Sequence, residues 1–299
     1  MAKRDASGAR TQDPPVTVAQ RVRAKMEELA PSERRVARLL LTNYPAAGLQ
    51  SINQLAREAG VSAPTVLRFL ARIGFPGYAP FQDALREELR QRSVSPLALD
   101  DLPEAGTGAR HAMAARLARA IEHSFALVTD FDFSAAIDLL ADRRRPVLVT
   151  GGRFSDPLAR YLWLHLREIR PRTFHLPADP LIRNPALVDH GPRSVAVVFD
   201  FRRYQETTAD FAERAAERGV SIVLVTDPYL SPISRLAKVV LTVDVAAVTP
   251  FDSYTPAFAL IEVLVAELVA RLGDEARRRM AEADALRGVP RTPAGPSRG

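Results

Sequence analysis

Residues 51–74 read Ser51-Ile-Asn-Gln-Leu-Ala-Arg-Glu-Ala-Gly60-Val-Ser62-Ala-Pro-Thr-Val-Leu-Arg-Phe69-Leu-Ala-Arg-Ile-Gly74. This stretch decides how the first third of the chain folds. Ser51 with Gln54 three residues later is a capping box, which predicts a helix from Ile52 to Ala59. Gly60 permits the left-handed backbone that stops it. Val61 fills the turn, Ser62 caps a second helix, and Pro64 is tolerated in its first turn. Gly74 ends that helix after Ile73. Ile52, Ala56, Gly60, Val66 and Phe69 are the apolar, small, glycine, apolar and apolar residues that two closely crossing helices need. Val66, Phe69, Leu70 and Ile73 make one face of the second helix and are expected in the core. Thr65, Arg68 and Arg72 lie on the other side, with Ser62 and Ala63 at its mouth. A helix polar on that side suits a DNA major groove, so the segment is expected to be a helix-turn-helix with a double-stranded DNA operator as partner. An upstream helix over residues 32–43 carries Arg34, Arg35 and Arg38, which suit phosphate neutralisation.

The rest of the composition agrees with a chain of two parts. The 299 residues are 47% hydrophobic and 25% charged, enough to bury one large or two ordinary domains. The net charge of +6 belongs to residues 1–95, with 15 basic and 9 acidic residues, whereas residues 96–299 hold 26 of each. A basic module joined to a neutral one is the electrostatic footprint of polyanion binding. The absence of cysteine removes disulfides and thiolate metal sites. No apolar run spans a bilayer and residues 1–15 lack a signal-peptide core, so the expected location is the cytoplasm, away from membranes. No metal or cofactor is expected.

Residues 17–92 show helical periodicity alone, and residues 93–110 carry the Pro, Gly and Asp of a linker. From residue 111 to 286 the texture changes. Short Val-rich runs at 147–150, 195–199, 222–226 and 239–243, with a fifth at 173–176, alternate with helical stretches at 156–168 and 206–218 and a short one at 233–236. Strands apolar on both faces belong to buried parallel sheets, so this part is expected to be a three-layer, doubly wound α/β domain. Residues 1–16 and 287–299 read as disordered tails.

Three segments carry a family resemblance: Pro31-Ser-Glu-Arg-Arg-Val-Ala37, Leu55 through Phe69, and Ile73-Gly-Phe-Pro-Gly-Tyr78. Together they resemble the N-terminal domain of the RpiR/MurR family of transcription regulators. The resemblance covers roughly residues 18–285 and implies a sugar isomerase (SIS) domain after the helix-turn-helix.

In an open α/β sheet, ligands bind beyond the carboxyl ends of the strands. Gly151-Gly-Arg-Phe-Ser155 follows the first strand and opens a helix, whose N-terminus favours an anion. It resembles the first SIS loop, with Ser155 at the ligand-binding serine and Arg153 in place of a second glycine. The loop from Asp200 to Thr208 departs further from the family's Ser-x-Ser-Gly-x-Thr phosphate cradle. Arg203 and Gln205 replace its two serines, Tyr204 stands between them, and Thr208 is kept. Arg203 offers a charged fork to phosphate or carboxylate, or a surface ion pair to Glu206 or Asp210. Ser253, before the apolar helix that includes Leu260 and Leu264, matches a serine near the family's ligand. The resemblance thus implies that Gly151, Ser155, Arg203, Tyr204, Gln205, Thr208 and Ser253 bind a small anionic sugar-like effector in a homodimer or homotetramer. The rival reading is a SIS-type sugar-phosphate isomerase, or an enzyme acting on a carbohydrate derivative, with its base among His165, His175, His190 and Glu262. None of these four stands in a recognisable motif, so no catalytic residue is assigned.

Overall fold

The protein is described by a computed structural model over residues 16–92, 108–245 and 251–288. The linker and both tails expected from the sequence fall almost wholly outside the described residues.

The first part is all helical: α1 (Val18–Lys25), α2 (Pro31–Thr42), α3 (Ala46–Leu49), α4 (Ile52–Glu58), α5 (Ala63–Arg72) and α6 (Tyr78–Arg92). Thr17 and Gln20 close a complete capping box on α1. Only half of the expected box forms on α4. The Ser51 hydroxyl accepts from the Gln54 backbone N–H at 3.3 Å, but the Gln54 amide turns forward to Glu58. Ser62 also departs from expectation. It stands at the N-cap of α5 without a capping bond, because its hydroxyl pairs with that of Thr65 at 3.0 Å. The two stops hold, with Gly60 at φ 63° and Gly74 at φ 84°. Leu40, Leu55, Val66, Phe69 and Leu70 are fully buried between α2, α4 and α5.

The second part begins with α7 (Ala109–Leu127) and α8 (Asp130–Ala141) and then alternates strand and helix. Its strands are β1 (Val147–Gly151), β2 (Thr173–His175), β3 (Val195–Phe199), β4 (Ser221–Thr226) and β5 (Val239–Thr242). They form one parallel sheet in the order β2-β1-β3-β4-β5. Between them lie α9 (Asp156–Ile169), α10 (Pro180–Arg183) and α11 (Glu206–Glu217), and α12 (Thr255–Leu272) and α13 (Asp274–Leu286) follow. Strand alternation splits the core into two layers. Leu148, Ala196, Val198 and Leu224 face α11, whereas Val147, Val149, Val197 and Val223 face α8, α9 and α12. The apolar length of α12 is explained by this second layer, since Ala257, Leu260, Ile261, Leu264 and Leu268 are all buried in it. The order reverses between β1 and β3, which makes their carboxyl ends the topological switch point where such sheets bind ligands.

The helical part packs on the α11 side of the sheet, and its core runs on into that layer. The Thr17 hydroxyl donates to the Pro228 carbonyl at 3.1 Å, and Arg23 donates to the Val240 carbonyl at 3.4 Å and lies 3.7 Å from Asp132.

The turn between α4 and α5 depends on backbone conformation rather than on space. A Cβ at Gly60 would meet nothing within 4 Å, yet φ is +63°. Gly60→Ala is therefore expected to lose about 1–2 kcal/mol from the left-handed backbone alone, and Gly60→Asn less, because Asn tolerates that region better. Urea unfolding of the two variants checks this, and equal loss would point to a side-chain clash instead.

Candidate functional site

Two surfaces carry functional chemistry. The first is the outer side of α5. Ser62, Pro64, Leu67, Arg68, Ala71 and Arg72 are exposed along it, Leu67 to 45%, and Ala63 is half-buried. Thr65 is not part of this surface. It is buried, and its hydroxyl accepts from the Arg68 guanidinium at 2.9 Å, so it orients Arg68 rather than facing solvent. Arg72 is anchored too, 3.0 Å from Glu33 of α2, a buried carboxylate that also accepts from the Ala30 N–H at 3.0 Å. The arginines of α2 divide. Arg34 donates to the carbonyls of Leu29 and Glu27, and Arg35 to those of Ala59 and Gly60, which secures the turn between α4 and α5. Arg38 is exposed. Leu67 was not singled out from the sequence, where it stands among the apolar residues of its helix without belonging to the expected core face.

The second surface is the switch point. Gly151 is required there, because a Cβ would lie 2.7 Å from the Ser155 backbone. The turn lets α9 start directly above β1. The Ser155 hydroxyl is consumed within the fold, accepting from the Gly152 N–H at 2.8 Å and donating to the Phe199 carbonyl at 2.7 Å. Beside it, Gln205 reaches from the N-cap of α11 and accepts from the Arg153 N–H at 2.8 Å. Thr208 points to the same place. It is fully buried, and its hydroxyl has no hydrogen-bond partner among the described residues. Gly152, Gln205 and Thr208 thus converge between the N-termini of α9 and α11, where helix dipoles favour negative charge.

Behind this cradle lies a cation that the sequence did not reveal. Arg183 of α10 is completely buried, donates to the carbonyls of Gly151 and Thr207, and stacks over Phe211 with its guanidinium carbon 5.1 Å from the ring centre. No periodicity marks a lone arginine in a short helix. Three carboxylates were missed as well, although two had a signal: Asp200 and Asp227 each follow a strand directly. Asp227 accepts from the Arg202 N–H and from the Tyr204 hydroxyl, the latter at 2.9 Å. Asp252 pairs with the Arg202 side chain and lies 3.6 Å from Arg203. Arg203 therefore meets neither Glu206 nor Asp210, and it holds φ at 65°, a conformation that costs a non-glycine residue about 1–2 kcal/mol. Ser253 stands apart from the cradle partners, its hydroxyl donating to Thr255 at 3.2 Å.

The four candidate bases have other partners. His175 meets Asp156 at 2.9 Å and His190 meets Ser194 at 3.3 Å, while His165 and Glu262 both contact Tyr161. Burial pushes the His190 pKa down.

A helix-turn-helix packed on a parallel sheet with a cradle at its switch point defines a class of two-part regulator. Residues 16–92 match the helix-turn-helix domain of the rpiR family, and residues 139–267 match the SIS domain. The chain belongs to the rpiR family of helix-turn-helix transcriptional regulators with a SIS domain. It is similar to the transcriptional regulator HexR of Escherichia coli (strain K12), with 25% identity over 272 residues covering 86% of this chain and 90% of that protein. HexR of Pseudomonas aeruginosa is 26% identical over 266 residues, covering 85% and 90%. Among solved structures, the Vibrio vulnificus NanR protein complexed with ManNAc-6P shares the fold over 92% of this chain and 99% of its own, with a TM-score of 0.53 and 20% identity. The sugar isomerase domain of an RpiR transcription factor from Sphaerobacter thermophilus covers 60% of this chain and 100% of its own, with a TM-score of 0.55 and 24% identity. Among the described residues, no helix is long and apolar enough to cross a membrane.

Asp200 gives the site a pH signature. Burial raises its carboxyl from the ordinary value of 3.8 to about 7, against the opposing hydrogen bonds from Ser231 and the Gln205 N–H. The folded chain therefore keeps a proton that the unfolded chain loses, and stability falls as pH rises from about 4 to about 7. Asp200→Asn lacks this loss. Its melting temperature relative to wild type is expected to climb across that window and level off above it. A difference that stays flat with pH would contradict a buried, proton-holding Asp200.

Proposed function

We propose that this protein binds an operator through α5 and senses a phosphorylated or acidic sugar-like metabolite at the β1/β3 cradle. One observation carries the link between the two sites. Asp227 receives the Arg202 N–H and the Tyr204 hydroxyl from the second cradle loop, and the next carbonyl, that of Pro228, receives the Thr17 hydroxyl at the start of α1. A ligand that resets the cradle loop thus acts within one residue of the DNA-binding part. It regulates by favouring one placement of that part over another. Arg183 behind the cradle and the two helix N-termini favour an anion. The NanR structure, whose ligand is a sugar phosphate, supports the choice of metabolite class. As in other helix-turn-helix proteins, pairing of two chains presents two reading helices to successive half-sites. The chemistry of the cradle is read as binding without turnover, because the hydrogen-bond and ring partners of His165, His175, His190 and Glu262 among the described residues do not include Gly152, Gln205 or Thr208.

Fluorescence anisotropy on an operator selected from a random duplex pool tests the whole reading. A sugar phosphate or sugar acid is expected to shift operator affinity. No shift with any member of such a panel, together with turnover of one of them, would establish an enzyme instead.

Within α5, Arg68 is the base-reading side chain and Leu67 offers an apolar contact to a thymine methyl. Arg68→Ala is expected to cost about 1–3 kcal/mol at the operator and little on random DNA. Arg38→Ala is expected to weaken both equally and reduce the salt slope by about 1. Competition titrations at several salt concentrations separate the two, and equal losses for Arg68→Ala would remove it from base readout.

A further inference from the structure

The Gln205 side chain fills the space between the N-termini of α9 and α11. Its side-chain oxygen accepts the Arg153 N–H at 2.8 Å. It also crowds Gly152 so closely that a Cβ there would lie 2.4 Å from the same oxygen and 3.5 Å from the Thr208 hydroxyl. The Thr208 hydroxyl nonetheless stays without a partner, fully buried, so Gln205 satisfies one donor of the cradle and leaves a second open. The backbone of Gln205 is anchored to the first turn of α11, its carbonyl accepting from the Thr208 N–H at 2.9 Å and the Ala209 N–H at 3.1 Å. The side-chain torsions can turn the amide on this anchor.

We infer that the Gln205 carboxamide is a built-in occupant of the anion cradle, which an anionic ligand must displace to bind. The inference rests on the reading of the cradle as the effector site and adds the residue that sets its affinity. An amide oxygen carries partial negative charge and mimics one phosphate oxygen toward a backbone N–H, but it brings no net charge. The ligand-free site is therefore already satisfied at the Arg153 N–H, and there a ligand gains only the difference between its own hydrogen bond and that of Gln205. Apparent affinity is lowered by the fraction of time the cradle is closed. A ligand that also engages Thr208 makes a bond that Gln205 does not, and this favours displacement.

Calorimetric titration of the full chain with inorganic phosphate, and with ManNAc-6P as a larger probe, tests the inference in three variants. Gln205→Ala empties the cradle while keeping the helix backbone, and phosphate is expected to bind about two- to tenfold more tightly, the worth of one hydrogen bond. Gln205→Glu puts a full charge in the same place, and phosphate is expected to bind roughly tenfold or more weakly by like-charge repulsion. Thr208→Val in the Ala background is expected to erase the gain. Thermal melts confirm folding of each variant, and the opposite signs at one position exclude a general loss of structure. If wild type, Gln205→Ala and Gln205→Glu bind both probes with one affinity, Gln205 is not the occupant, while the anion site stands. If neither probe binds wild type or any variant, the effector-site reading fails and takes the inference with it.

Discussion

The Ser155 hydroxyl ties together the two strand ends on which the cradle depends. It takes the Gly152 N–H and gives its proton to the Phe199 carbonyl, so one buried atom joins the exit of β1 to the exit of β3. These strands flank the reversal of the sheet, and their loops diverge to opposite faces. Without a donor at this point the Phe199 carbonyl would be left without its hydroxyl partner in a buried setting, a loss of about 1–3 kcal/mol. The same bond fixes the Gly152-Arg153 backbone, and so places the N–H that Gln205 accepts. Ser155, expected from the resemblance as a ligand-binding residue, has its hydroxyl committed within the fold to the backbone at both strand exits.

Charge around the cradle is balanced rather than simply positive. Arg183 lies buried beneath it and Arg203 stands at its rim, but Asp200, Asp227 and Asp252 lie beside them. Desolvation keeps Asp200 protonated up to about pH 7, which reduces the negative charge near the helix N-termini. Asp252 draws Arg202 and Arg203 to itself, so the second loop is braced in a left-handed turn that its sequence alone disfavours. Strain of this kind persists where surrounding contacts over-determine the backbone.

The helical part is joined to this arrangement by packing as well as by hydrogen bonds. Its core continues into the sheet layer under α11, and the Asp227 carboxylate and the Pro228 carbonyl stand between the cradle loop and α1.

The sequence by itself determined the element order, the parallel sheet and the helix-turn-helix, because these rest on periodicity and on glycines at fixed spacings. Gly60, Gly74 and the four Val-rich strands were readable for that reason. It also marked Gly151, Gln205 and Thr208 as residues of one site, since each stands next to a strand exit or a helix start. Only the tertiary structure decided which side chains are available. Arg34, Arg35 and Arg72 look alike in sequence, yet Arg34 is held by the turn before α2, Arg35 by the turn between α4 and α5, and Arg72 by Glu33 of α2. Thr65 turned inward because Ser62 and Arg68 both claim its hydroxyl. Arg183 entered the site from a segment with no motif, and Asp252 from the loop just before Ser253, where the serine and not the carboxylate had been singled out. Their roles come from burial and from partners distant in the chain, and neither property is written in local spacing.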